Sequence, residues 1–480
     1  MKKTLILVVA LLLATVFLMV GCGPETTDTS TNAPTPIPTS GETEGTGEQT
    51  VVAIKPGDNY RYYLWSVTDG ENPFSTSVNP ERDRQRWEEY QNKYDITITY
   101  VQAQAGNSWQ DLPLSSAAAG EPICDIFNVG GPYVVLQSVF YDGQIGSALE
   151  PVSNYSEYAT FDDPNYFDQE SQKHCTFDNK LYCIVPHVNG AAQTSMYTIT
   201  LFNAEMLASA GYSKDELYRM SKEGEWTWEA FEDAAMKCTN PDKGVYGTYI
   251  GDNNALCSAL IVTNGGHYFV NDGNGDRFAG NSNVAVAAWD FIVELGQKGY
   301  MDYSHTGEAN VFGMGKVAMM VTCIARVGVI YQYLKFEYGI INPPKGPAAS
   351  DYISENSWFT PVALMRGANN PQGCVQVMKE YFGPEYGIDS VEHKMMVEAE
   401  YGLYLTDQGS LDTALNIQNY GSIENYFLYQ TVNDGEGTML RYLYGTADDF
   451  IKGETTPKVF LDSVVDKVNH LIDISHAESN

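Results

Sequence analysis

The alternation of apolar and polar positions divides the chain into three stretches. Residues 5 to 20 are almost wholly apolar, residues 23 to 50 carry almost nothing apolar, and from Val51 onward short apolar runs alternate with amphipathic ones. In the third stretch, Tyr60–Trp65 reads as a buried strand, and a helix is expected from Pro80 to Tyr94 with Trp87 and Tyr90 on one side. Ile96–Val101 reads as a second strand, Asp111 opens a helix behind Trp109 and Gln110, and Ile123–Val129 reads as a third strand. Strands alternating with helices predict an α/β protein with a parallel sheet covered on both faces. Ligands of such sheets bind at the carboxyl ends of the strands, which places residues 65–69 and 129–133 at a cleft. Farther along, Asn203 is a good N-cap, with Glu205 in the first turn and Gly211 as the stop. Thr227 caps another helix, and a long one is expected from Ala285 to Met301. Phe460, Val464, Val468, Leu471 and Ile472 form one apolar face of a last helix.

The first stretch begins with Lys2 and Lys3 and ends in Gly21-Cys22. It is shorter than the ~20 residues a membrane-spanning helix wants, and its pattern is that of a signal peptide. Leu18-Met19-Val20-Gly21-Cys22 resembles a bacterial lipobox, in which Cys22 is lipidated and becomes the mature N-terminus. Met19 stands where the pattern usually has Leu. The Thr-, Ser-, Gly-, Pro- and Glu-rich residues 23–50 cannot bury enough surface to offset the entropy of ordering. Such a tether would span on the order of 30 Å.

Composition narrows the function classes. The folded part is too long for one core at the usual ~100–200 residues per domain, so two lobes are expected. A formal charge of −33, with no basic stripe, argues against nucleic-acid binding. The seven cysteines besides Cys22 are odd in number and include no CxxC, so neither a zinc site nor a thioredoxin-like site is expected. Most of them read as small buried hydrophobes. Cys175 and Cys183 flank the Asp178-Asn179 turn, where a disulfide and two free thiols both remain open. Gly313-Met314-Gly315-Lys316 lacks the spacing and the Ser/Thr of a phosphate loop. The Asp272–Asp276 segment lacks the glycine and glutamate of a calcium loop and reads as a hairpin turn. HExxH and GxSxG are absent, and no cofactor is expected.

Several motifs then fall in a familiar order. Asp178–Tyr182 with Val185-Pro186, Leu201–Met206, Trp226–Phe231, Asn264–Gly266, Phe312–Met319, and Tyr338–Ile340 with Pro343-Pro344 resemble those of sugar-binding extracellular solute-binding proteins of ABC importers. The resemblance covers residues 51 to about 382. It implies a two-lobed, periplasmic-binding-protein-like (type II) fold with a ligand cleft between lobes joined by a hinge. Residues 1–21 would be the signal peptide and 22–50 the lipidated cysteine and tether. Residues 51–190, with 345–388 returning, would form the first lobe. Residues 191–344 would form the second, with helices of 389–480 packed on it.

Ligand contacts are expected in the first lobe at Trp65, which closes the first strand, at Asp69, where the resemblance places polar contacts, and at Tyr133, just past the Gly130-Gly131-Pro132 turn, and near the crossing at Asn189 and Tyr197. It adds Asp252, Asn253 and Arg326 in the second lobe and Trp358 after the second crossing. A charge at Arg326 fits either a polar ligand or a salt bridge. The implied partners are a small solute, favoured to be a carbohydrate, and membrane permease subunits; the membrane is met only through the lipid anchor. A monomer outside the bacterial cell membrane is expected, with no catalytic or metal site. A solute sensor and an extracellular polysaccharide-active enzyme are the alternatives.

Overall fold

The computed structural model describes residues 53–64, 73–74, 80–103, 109–187, 196–251, 255–271, 276–304, 306–356, 358–423, 429 and 447–477. The expected signal peptide, Cys22 and the expected tether lie outside them. The chain first lays down β1 (Asn59–Tyr63), β2 (Thr97–Val101), β3 (Ile126–Asn128) and β4 (Leu149–Glu150). A hairpin of β5 (Thr176–Phe177) and β6 (Lys180–Leu181) follows, and then β7 (Cys183–Ile184). Asp178 and Asn179 both have positive φ, 49° and 57°, which suits the two-residue turn that matches strand twist.

The chain next crosses into β8 (Thr198–Asn203), β9 (Tyr246–Tyr249), the hairpin β10 (Phe269–Asn271) and β11 (Asp276–Phe278), β12 (Met301–Asp302), β13 (Val317–Cys323) and β14 (Tyr338–Ile341). It returns through β15 (Ser354–Asn356) to β16 (Val362–Met365), and β17 (Gly421–Ile423) comes last.

Two sheets result. One has the order β2-β1-β3-β16-β4 with β7 beside β16; the other has the order β12-β9-β13-β8-β14. β1 runs parallel to β2 and β3, but β16 is antiparallel to β3, β4 and β7. The expectation of a parallel first sheet is therefore corrected to a mixed one. Because β16 enters from the second crossing, at the carboxyl end of β3, it must run the opposite way. The second sheet is also mixed: β12, β9 and β13 are parallel, while β8 is antiparallel to β13 and β14.

Local chemistry supports these elements. The helix Pro80–Tyr94 buries Tyr90, and the Trp87 indole N–H donates to the Ile98 carbonyl. Asn203 accepts from the Glu205 and Met206 amides, and Thr227 from Ala230; such caps contribute roughly 1 kcal/mol each. The long helix spans Asn283–Gln297, shorter than expected, because Gly299 at φ 74° turns the chain and Met301 joins β12. The strand read as Ile123–Val129 pairs only over Ile126–Asn128. The carboxyl-terminal helices pack on the second sheet's body. The Ile340 amide donates to Ser410 Oγ at 3.0 Å, and Trp289 meets Phe450 edge-on at 5.2 Å. Five of the seven cysteines are buried and all are free thiols; Cys175 and Cys183 hydrogen-bond as thiols, and burial pushes Cys175 well up.

Candidate functional site

The antiparallel registers bring several predicted residues to the same ends of the two sheets. Val362 pairs with Asn128, so the segment before β16 lies beside the loop leaving β3. Thr198 pairs with Cys323, so Tyr197 and Arg326 flank one end of the β8–β13 pair.

At the first sheet, Asn128 organises the loop. Its carbonyl oxygen accepts from the Gly130 amide at 2.9 Å, and its amide nitrogen donates to Tyr62 Oη at 3.1 Å. Gly130 takes φ 81°, a conformation that suits glycine. The Val129 amide donates to Pro361 O at 2.9 Å, fastening the loop to the incoming crossing. Tyr133 and Trp358 then meet, their ring centroids 5.7 Å apart and tilted by 46°. Gly131 lies under both: a Cβ there would fall 2.8 Å from Tyr133 Cε1 and 2.9 Å from Trp358 Cζ2. The two partly buried rings thus rest on bare backbone. Burial raises the Tyr133 phenol pKa, so the ring stays neutral.

At the second sheet, Arg326 stands in the helix Ile324–Ile330, directly after β13. Its Nε lies 3.4 Å from Glu308 Oε2, and the Glu308 side chain is only 5% exposed. Thr322 Oγ1 donates to Glu308 Oε1 at 3.4 Å. Of the two roles open to Arg326 from sequence, the geometry supplies the salt bridge. Tyr197 is half-buried; burial raises its pKa, as does the charge of Asp168, while a hydrogen bond from Asn356 works the other way.

Trp65, Asp69, Asn189, Asp252 and Asn253 lie outside the described residues. Tyr133 and Trp358 are brought together. Tyr197 is linked to them through Asn356, whose Oδ1 accepts from the Trp358 amide at 3.3 Å. No group of three or more His, Cys, Asp or Glu side chains among the described residues is arranged to hold a metal. No described helix is long and apolar enough to cross a membrane.

Residues 85–392 match the family model for bacterial extracellular solute-binding proteins. The chain belongs to that family. This solute-binding protein therefore works outside the cytoplasm. No curated protein matches it in sequence. Solved structures are similar in fold. A sugar transporter protein from Rhizobium etli, in an open conformation, is 15% identical with a TM-score of 0.63, covering 86% of this chain and 99% of its own. The cyclic alpha-maltosyl-1,6-maltose binding protein of Arthrobacter globiformis is 15% identical with a TM-score of 0.62, covering 87% and 99%. UgpB from Mycobacterium tuberculosis, solved with glycerophosphocholine, is 14% identical with a TM-score of 0.58, covering 86% and 98%. At these identities the likeness carries the two-lobed fold and nothing finer.

Within the solute-binding protein, sequence reasoning missed three residues beside the predicted ones. Asn128 and Asn356 are buried amides that shape the loops under Tyr133 and Trp358. His174 stacks on Phe359 at 6.4 Å and 23°, one residue beyond Trp358. The only available signal was a polar residue in an apolar strand, as in Ile126-Phe127-Asn128.

Proposed function

We propose that the chain is the substrate-binding lipoprotein of an ABC importer, capturing a small carbohydrate by hinge closure and handing it to membrane permeases. Cys22 would carry the lipid, and residues 23–50 would let the lobes reorient beside the permeases. Residues 51–190 with about 345–388, and 191–344 with about 389–480, would be the two lobes of a monomer. The observation that carries the ligand reading is the Tyr133–Trp358 pair seated on Gly131. Partly buried neutral rings offer flat apolar faces beside polar edges, which suits a solute with both C–H and hydroxyl faces. The fold is shared with a cyclic maltosyl-maltose binding protein from Arthrobacter globiformis and a sugar transporter from Rhizobium etli, which favours a sugar. Trp65, Asp69, Asn189, Asp252 and Asn253 are proposed as further contacts, because in sequence they follow β1, β7 and β9. Tyr197 lines the cleft; Arg326 contributes charge balance to the wall.

The protein acts by binding, without turnover. A thermal-shift screen of the purified protein against mono- and oligosaccharides, phosphodiesters, peptides and polyamines tests this. One sugar class at a hundred times its Kd should stabilise the fold by about 2.7 kcal/mol, and Trp358→Ala should cut that gain to about a third. A shift only with glycerophosphodiesters or polyamines would overturn the sugar assignment and keep the transport role. Release of product from a glycan would instead favour the enzyme alternative.

A further inference from the structure

The two crossings between the lobes are tied to each other. Ser354 and Asn356 are alternate residues of β15, so both point to one face of it. On that face lies the first crossing. Ser354 Oγ donates to the Thr198 carbonyl at 2.7 Å, and Asn356 hydrogen-bonds the neighbouring Tyr197 hydroxyl. Both side chains are essentially excluded from solvent, at 0% and 2% exposure. β17 closes the other edge: Ser354 pairs with Gly421, and a Cβ on Gly421 would fall 2.5 Å from the Tyr197 ring.

This plate is anchored to the second lobe. Tyr352, just before β15, accepts from the Trp226 amide at 3.1 Å and donates to the Met220 carbonyl at 3.4 Å, both in the second lobe. Gly346 donates to Thr263 O at 3.0 Å. Toward the first lobe, Trp358 and Phe359 make ring contacts, with Tyr133 and His174, and the next backbone hydrogen bond is the one Pro361 accepts from the Val129 amide.

We propose that Ser354 and Asn356 are positioning residues that lock the two crossings into one plate moving with the second lobe. Bending is then assigned to residues 358–360, which include Trp358. The proposal rests on the two-lobed binding reading and adds where its hinge lies. It makes Trp358 the residue displaced from Tyr133 when the cleft opens, because Asn356 holds its amide from the plate side while Gly131 carries its ring from the other.

Amide hydrogen exchange on the full-length, ligand-free protein tests this. In the wild type, residues 354–356 and 197–199 should exchange at least tenfold more slowly than 358–360. Ser354→Ala should speed exchange at least tenfold at both 354–356 and 197–199, distant in sequence, while β1, β3, β9 and β13 keep their protection. Tyr197→Phe should do the same more weakly. Asn356→Leu should match Ser354→Ala, and Asn356→Asp, still an acceptor for the Trp358 amide but no longer a donor to the Tyr197 oxygen, should restore part of the protection. Should Asn356→Leu loosen the whole chain, the Ser354 and Tyr197 variants decide. Faster exchange at 354–356 alone, or wild-type exchange there as fast as at 358–360, overturns the plate. A silent ligand screen would overturn the carbohydrate reading and leave this outcome intact.

Discussion

The first-lobe wall of the cleft carries Tyr133 and Trp358, neutral rings 5.7 Å apart on a glycine floor, whereas the second-lobe wall carries Arg326 held 3.4 Å from a buried Glu308. The first arrangement costs little to desolvate and leaves ring faces for a ligand to cover. The second is balanced internally: the arginine's charge already has a carboxylate to answer it, so this wall does not call for an anionic ligand. On the proposed function, recognition and structural support are divided between the walls. Substitutions on the second wall should act on folding, and those on the first on binding.

The sharpest break of that comparison is Arg326→Met. It would leave Glu308 buried without its cation, and removing one partner of a buried pair costs several kcal/mol. Because Arg326 is itself 27% exposed, a loss of about 3 kcal/mol in urea unfolding is expected. Arg326→Met combined with Glu308→Gln should recover most of it, since no charge is then stranded. A large loss of ligand affinity with unchanged stability would show that Arg326 belongs to the binding wall after all.

On the first wall, Trp358→Ala should weaken ligand binding by about thirtyfold, equivalent to ~2 kcal/mol, in isothermal titration with whichever solute the screen yields. Gly131→Ala is subtler. Its backbone is extended, at φ −176°, so no conformational strain arises. The added Cβ, at 2.8 and 2.9 Å from the two rings, must push them apart. Overpacking of this kind costs about 1–2 kcal/mol, and affinity should fall about tenfold. Equal losses in Gly131→Ala and Arg326→Met would erase the distinction between the walls.

Much of the fold was legible in the sequence for physical reasons that can be named. The helix Pro80–Tyr94 runs over the residues expected because Tyr90 and a charged opposite face fix both its period and its orientation. Asn203 and Thr227 cap as read, since an N-cap is a local hydrogen bond. Strand direction was not legible. β16 is an ordinary apolar run, and nothing in Val362–Met365 says that it arrives from the opposite end. The site divides the same way. Tyr133 and Trp358 could be nominated because glycines and a crossing mark their neighbourhoods, but their contact depends on residues far apart in the chain. The Arg326–Glu308 pair is separated by β13 and could not be chosen among so many carboxylates. Asn128 and Asn356 stayed hidden because a buried amide is recognised by its partners, and those come from other segments.

The smallest effect sharpens the comparison at the edge of the first wall. His174 is half-buried against Phe359, and burial lowers its pKa below 6.5; Asp276, Asp168 and Glu170 oppose that shift, and Lys173 adds to it. Protonation is therefore harder in the folded chain than in the unfolded one. As pH falls through 6.5, the unfolded state binds the proton first, so stability declines until the folded state is protonated too. Below that point no further loss comes from this residue. His393, also depressed by burial, adds a slope of the same sign. Glu385 and Asp407 are carboxylates held low by Arg82, and by Tyr218, Ser410 and Lys214; their stabilisation disappears only in a more acidic window. Thermal melts from pH 7.5 to 5 should thus show a gentle decline in Tm, on the order of a few degrees, and His174→Gln should make it shallower without removing it. If the decline steepened instead, the carboxylates around His174 would outweigh its burial, and the histidine would belong with the charged wall.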